Sequence, residues 1–408
     1  MSVADLVAEH GSPLWLVDLD RVRERLRAFR SAWLAAWPDV EIAYAYRANR
    51  LPAILRAVAA EGAGHQVAGE VEYGLARRVA NAPGDAILVD GPAKPPALLE
   101  RAALDGALVI ADSGADVERA AAAGVRRLGL RVAVPGAGVG VSRFGVSPPE
   151  VPAVVRRAAA VGRRVRVLAA HLVSTGFARP PTEHSRLAAT VTTEWPLPTA
   201  RFTATARTLA TLAVRMRAVA VDLGGGFPAA PAVRAHARAV AGALGGAGFD
   251  GRLILEPGRA IVGDAVDLAC TVRAVKRLAD GTRCVIADAG TNLVPGALWR
   301  WPRVEAVAAG DAATSPALVA GPLNLVADVL HPAADLPAVD EGDLLLVRGV
   351  GAYQQVVGPG SGEPRPATVA RDQGRWHLAE RRATLDDLLA GDVEVPASAG
   401  ARGREERA

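Results

Sequence analysis

AVAVDLGGGFPAAPAVRAHARAVAGALGGAGFDGRLILEPGR, residues 218–259, decides the fold. Ala218–Leu223 is a short apolar run that ends in three glycines. Ala230–Leu244 carries small apolar residues at helical spacing, and a second run, Arg252–Leu255, ends in Glu256-Pro257-Gly258-Arg259. Two buried strands joined by a helix make a parallel crossover unit. The same alternation runs upstream through Glu41–Tyr46, Gly64–Ala68, Ala86–Asp90, Leu108–Ala111, Arg127–Val132 and Arg166–His171. Helical segments such as Pro52–Glu61 and Pro95–Asp105 lie between them, and Ser113 has the chemistry of an N-cap for Gly114–Ala123. Eight such strands predict an α/β fold, a closed (β/α)8 TIM barrel over residues 30–262.

Beyond residue 262 the periodicity changes. Asp267–Val275, Thr282–Asp288, Ala317–Ala320, Asp343–Arg348 and Pro366–Arg371 read as strands between Gly-, Pro- and Asp-rich turns, with little helix before Leu385–Leu389. Clustered strands imply a separate C-terminal β domain. The run Pro13–Val17 is strand-like and is expected to join it, so the β domain comprises residues 1–29 with 263–390. Residues 391–408 are expected to form a loose, disordered tail.

Length and composition agree with two soluble domains. The 408 residues are 50% hydrophobic and 22% charged. Of the 47 basic residues only Lys94 and Lys276 are lysine, which leaves 45 arginines. That ratio reads as coding bias. The net charge of +4 does not mark nucleic-acid binding, because the arginines alternate with acids and no basic block with interleaved aromatics occurs. Cys270 and Cys284 cannot make a disulfide framework, and neither has metal-type spacing. No stretch resembles a signal peptide or a membrane span, so a cytoplasmic location is expected.

Side chains with chemistry in a parallel barrel project from the C-terminal ends of its strands. Those ends supply Arg47, Gln66, His171, Gly224-Gly225-Gly226 and Glu256-Pro257-Gly258-Arg259. A triglycine turn lets an anion approach the backbone closely. Alone it is equally a tight turn, but a neighbouring Glu256/Arg259 turn adds a carboxylate and a bidentate cation. His171 taken singly reads as a core histidine.

In order, SPLWLVDLDRVR (12–23), AYAYRAN (43–49), SRFGV (142–146), HLVST (171–175), LGGGF (223–227), EPGR (256–259), ADAGTN (287–292), GPLN (321–324) and GDLLLVRGVGAY (342–353) resemble the ornithine, diaminopimelate and arginine decarboxylases of the alanine-racemase-like fold. These use pyridoxal 5'-phosphate (PLP). The resemblance covers residues 12 to 370. It implies a lyase of amino-acid metabolism, dimeric, with Gly224, Gly225, Gly226, Gly258, Arg259 and Tyr353 at the cofactor phosphate. Glu256 would face the pyridine nitrogen and keep it protonated, and His171 would stack on the ring.

The departures from that family are equally specific. Arg47 stands where the family has its Schiff-base lysine, and a guanidinium stays protonated and is a poor nucleophile. Asn324 stands at the position of a catalytic cysteine that the family contributes across its dimer interface. Gln66 replaces an aspartate, and Pro295 lies near the position of a substrate-binding arginine. Three readings follow. The first is a PLP protein of decarboxylase type with altered chemistry, holding its cofactor without a covalent bond and taking an amino acid or amine. The second is a non-catalytic homologue that pairs, as a homodimer or heterodimer, with an active partner. The third is a barrel enzyme acting on another phosphorylated metabolite.

Overall fold

The computed structural model describes residues 1–136, 143–172, 175–177, 191–193, 197–298, 300–307, 313–355 and 363–391. The chain opens with a helix, Val3–His10, whose first turn is closed by reciprocal Ser2 and Asp5 hydrogen bonds. Strand β1 (Leu14–Asp18) follows. Asp18 accepts from the Arg21 N–H at 3.0 Å and so caps the helix Leu19–Leu34. That helix buries Val22, Leu26, Phe29 and Trp33 at three- and four-residue spacing and packs against barrel helices Pro52–Ala60 and Val233–Gly246.

The barrel strands are β2 (Val40–Ala45), β3 (Gly64–Val67), β4 (Ile87–Asp90), β5 (Leu108–Ala111), β6 (Arg127–Arg131) and β7 (Val165–Ala169). Strands β8 (Thr175–Phe177) and β9 (Val191–Thr193) form a small antiparallel ribbon apart from it. β10 (Ala220–Asp222) and β11 (Arg252–Leu255) complete the barrel, closed in the order β10-β11-β2-β3-β4-β5-β6-β7. Every pairing in it is parallel. Helices cover the outer face, so both sides of each strand are dry, and the strands read as unbroken apolar runs. Leu88, Leu108, Ile110, Val167, Ala169, Ala220 and Ile254 fill the interior. Each fully buried large aliphatic stabilises by about 1.5–3 kcal/mol relative to exposure. Ser113 caps the helix Gly114–Ala122 by accepting from the Asp116 N–H, as its sequence position predicts.

The second layer is a sheet built from β12 (Val266–Arg277), β13 (Arg283–Ala287), β14 (Arg303–Ala306), β15 (Ser315–Ala320), β16 (Val329–Leu336), β17 (Leu344–Arg348), β18 (Ala367–Asp372) and β19 (Arg375–Glu380). Its order is β16-β15-β13-β12-β1-β18-β19, with β17 paired to β12 and β14 to β17. β1 runs antiparallel to β12 and parallel to β18. The N-terminal strand therefore lies inside the C-terminal sheet. Helix Val3–His10 seals this junction through Leu6, against Leu14, Leu16, Ala269, Leu346, Ala367 and Val369. The register sets Trp15 opposite Thr368 and Thr368 opposite Glu380, a row across three strands. Helix Leu385–Leu389 starts on a Thr384 capping box. Of the segment expected to be a tail, residues 392–408 lie outside the described residues.

Candidate active site

The C-terminal ends of the barrel strands and the turn carrying Tyr353 enclose a cavity of about 290 Å³. Arg47, Asp90, Arg131, Phe144, His171, Gly226, Phe227, Gly258, Arg259 and Tyr353 line it.

Arg47 lies across its floor. Its Nη1 donates to Gln66 Oε1 at 2.6 Å, and its Nη2 stands 3.6 Å from Glu256 Oε2. Nη2 is also 3.3 and 3.2 Å from the two ring nitrogens of His171. Burial works against the Arg47 charge, but Glu256, Tyr353, Asp90 and Glu72 together more than offset it and raise the pKa. The guanidinium stays protonated. His171 Nδ1 accepts from the Gly225 N–H at 3.1 Å, which assigns the ring proton to Nε2. Burial first, then the charges of Arg47 and Arg131, holds the His171 pKa well below the ordinary histidine range, so the ring is neutral.

Glu256 is 1% exposed, and neither carboxyl oxygen has a hydrogen-bond partner. Its pKa is raised by burial and held back by Arg47 and Arg131. Asp222, beside it at the end of β10, is pushed well up by burial and by the Glu256 charge. Asp222 is thus the member of the pair that keeps a proton. Its Oδ1 accepts from the Gly224 N–H at 2.8 Å.

The three glycines divide their work. Gly224 has φ +61°, and a Cβ there would fall 2.4 Å from His171 Nδ1. A Cβ on Gly225 would meet the Glu256 carbonyl oxygen at 2.8 Å. The N–H groups of Gly224 and Gly225 are engaged within the protein, and Gly226 is the glycine that lines the cavity. Opposite it, the Arg259 guanidinium lies 5.0 Å from the Tyr353 ring centroid. Tyr353 adopts φ +67°, an unusual conformation for a bulky residue, fixed by donation of its N–H to Ala48 O at 2.7 Å.

The opposite wall was not legible in the sequence. Arg131 at the end of β6 faces Asp90 at the end of β4, with Nη1–Oδ2 3.4 Å, and both are buried. Both Arg131 and Arg143 place guanidinium carbons over the Phe144 ring, at 4.4 and 4.3 Å. Phe144 lies within the quoted SRFGV stretch without being assigned a role there, and Asp90, Arg131 and Asp222 had no motif to announce them. The available clue was position, since Asp90, Arg131 and Asp222 all sit at or beside C-terminal strand ends. Asn324 is exposed in the turn between β15 and β16 and does not line this cavity. Pro295 is buried in the short 3-10 helix Pro295–Leu298. Ser142, Val173 and Ser174 of the quoted motifs lie outside the described residues.

Neither lysine lines the cavity. Lys94 is fully buried and donates to Asp116 Oδ2 and to Gly91 O, both at 2.6 Å. Lys276 lies in β12, paired in register with Cys284. Among the described residues no group of three or more His, Cys, Asp or Glu is placed to hold a metal ion. No described helix is long and apolar enough to cross a membrane.

These residues fit a pyridoxal phosphate. Arg259, beside the Tyr353 ring, lines the same cavity as Gly226 and offers a cation for a phosphate, and the Glu256 carboxylate, ion-paired with Arg47 but without a hydrogen-bond partner, is an acceptor of the kind a protonated ring nitrogen requires.

Comparison with known proteins agrees. Residues 6–351 match the family model described as pyridoxal-dependent decarboxylase, C-terminal sheet domain. The diaminopimelate decarboxylase of Pseudomonas aeruginosa is 29% identical, over 97% of this chain and 96% of the relative. That of Methanothermobacter thermautotrophicus is 28% identical, over 96% and 94%. In fold, the crystal structure of diaminopimelate decarboxylase from M. jannaschii superposes with TM-score 0.83 at 21% identity, over 97% of this chain and 95% of that one. The Helicobacter pylori enzyme complexed with L-lysine gives TM-score 0.81 at 20% identity, over 95% and 98%.

Proposed function

This chain belongs to the pyridoxal-dependent decarboxylases, and from that membership we propose that it holds PLP without a covalent bond and acts on a small amino acid or amine with chemistry altered at Arg47. One observation carries the reading. Arg47, at the strand end where the resemblance would put the family's lysine, is a guanidinium held between Gln66 and Glu256, and neither lysine of the chain lines the cavity.

Gly226, Arg259 and Tyr353 would hold the phosphate, with Gly224 and Gly225 keeping the strand ends close enough to shape the turn. Glu256 would accept from the ring nitrogen, and Arg131 would keep Glu256 charged while the proton stays on Asp222. The bound cofactor supplies an electron sink for charge developing at a substrate carbon. Arg47, freed from Glu256, would bind a substrate carboxylate through its planar pair of N–H donors. Neutral His171 would lie against the ring without adding charge.

The test is an absorbance spectrum of purified protein with and without PLP, followed by borohydride reduction and mass spectrometry. Uptake with the spectrum of a free aldehyde and no modified lysine is expected. Arg47→Lys is expected to bring imine absorbance and a reducible link at position 47. Failure to bind PLP at micromolar concentration refutes the reading, and a modified Lys94 or Lys276 refutes the non-covalent mode.

A second reading has its own support. Arg47 is already ion-paired with Glu256 and stands within reach of His171 Nδ1, and beside the exposed Asn324 lie Leu325 and Val326, 57% and 100% exposed. A non-catalytic subunit that docks on an active homologue would show these features. Stable co-elution with such a homologue, and no turnover alone, would favour it.

A further inference from the structure

A second cavity, about 310 Å³, lies where the barrel meets the β domain, outside the site above. Its floor is the row set by strand register, Trp15, Thr368 and Glu380. Residues paired across neighbouring strands project from the same face. Thr368 is 0% exposed, and its hydroxyl has no hydrogen-bond partner, which is costly for a buried polar atom that no ligand completes. From the barrel side come Arg50 and Leu51, at the start of helix Pro52–Ala60, whose N-terminus has no side-chain cap. Arg365 stands on the opposite rim. The side chains of Arg50, Arg365 and Glu380 have no ion-pair or hydrogen-bond partner among the described residues. Leu75, Leu293 and Pro366 supply apolar wall.

We infer that this cavity binds a free α-amino acid. Two guanidiniums and an uncapped helix start fit a carboxylate. Glu380 fits an ammonium, and Trp15 with the leucines fits an aliphatic side chain. The volume lies at the small end of ligand pockets, which suits a ligand of this size. The site is independent of PLP binding.

Calorimetric titration of the full chain with L-leucine tests this, beside N-acetyl-L-leucine and L-leucinamide, each of which lacks one of the two charges. Leucine should bind, and each blocked analogue should bind roughly tenfold or more weakly, the loss of one charge-assisted hydrogen bond. Arg365→Ala and Glu380→Gln, both at solvent-reachable positions, should weaken leucine to the same degree. His171→Ala should leave leucine binding unchanged. No binding of leucine at millimolar concentration overturns the inference. Equal binding of N-acetyl-L-leucine overturns the zwitterion class. Binding lost in His171→Ala but kept in Arg365→Ala places the ligand in the barrel mouth and overturns the site.

Discussion

Replacing Arg47 by methionine removes the nearest cation from a carboxylate that is 1% exposed. Across the 3.6 Å between Nη2 and Oε2, the attraction is about 5 kcal/mol at an effective dielectric constant of roughly 20. Glu256 escapes part of this loss by taking up a proton, and Arg131 remains to pull on it. The expected cost is therefore about 2–4 kcal/mol near pH 8. The sign with pH follows from linkage. The Glu256 pKa is already raised by burial, and without Arg47 it rises further. A folded-state carboxyl pKa above the unfolded value gives stability that is present at low pH and lost as pH climbs through the folded pKa. The variant's deficit should shrink markedly near pH 5, where the folded-state carboxyl is closer to neutral in both the variant and the parent protein. Denaturant unfolding at both pH values reads it directly. A deficit of the same size at both, or none at pH 8, would mean that the pair is not charged as described.

Three further outcomes can be checked. Gly224→Ala puts a Cβ 2.4 Å from His171 Nδ1 at φ +61°, so it should cost about 1–3 kcal/mol and abolish PLP uptake, read by denaturation and absorbance. Lys94→Met breaks a fully buried ion pair and should cost about 3–5 kcal/mol, while leaving the PLP spectrum of the remaining folded protein unchanged. Burial pushes His65 and His236 down to about 4, so their ring resonances should stay in the neutral position through mild acid, and an NMR titration step near the ordinary pKa of about 6.5 would contradict this.

Much of the architecture was legible because parallel strands leave unbroken apolar runs. Ala218–Leu223 and Arg252–Leu255 stand out against the small-residue helix between them, and Pro13–Val17 announced its strand by the same signal. The glycine and EPGR turns were legible because their chemistry is local. What escaped depends on register and on approach through space. Asp90 and Arg131 belong to strands separated in the barrel by β5, and nothing in either segment names the other. Asp222 reads as one polar residue inside an apolar run until Glu256 is placed beside it. The reach of Arg47 to Glu256 depends on β2 and β11 being neighbours, a consequence of barrel closure that no window of sequence contains.

The position of β1 between β12 and β18 bears on how the chain is made. A nascent polypeptide exposes Leu14–Asp18 to solvent long before residues 367–372 leave the ribosome, so the strand must wait, half-paired at best, while the whole barrel folds behind it. That interval is when a chaperone or a second chain would find its edge, and a shortfall in either domain's folding would surface as aggregation seeded at Leu14-Trp15-Leu16-Val17.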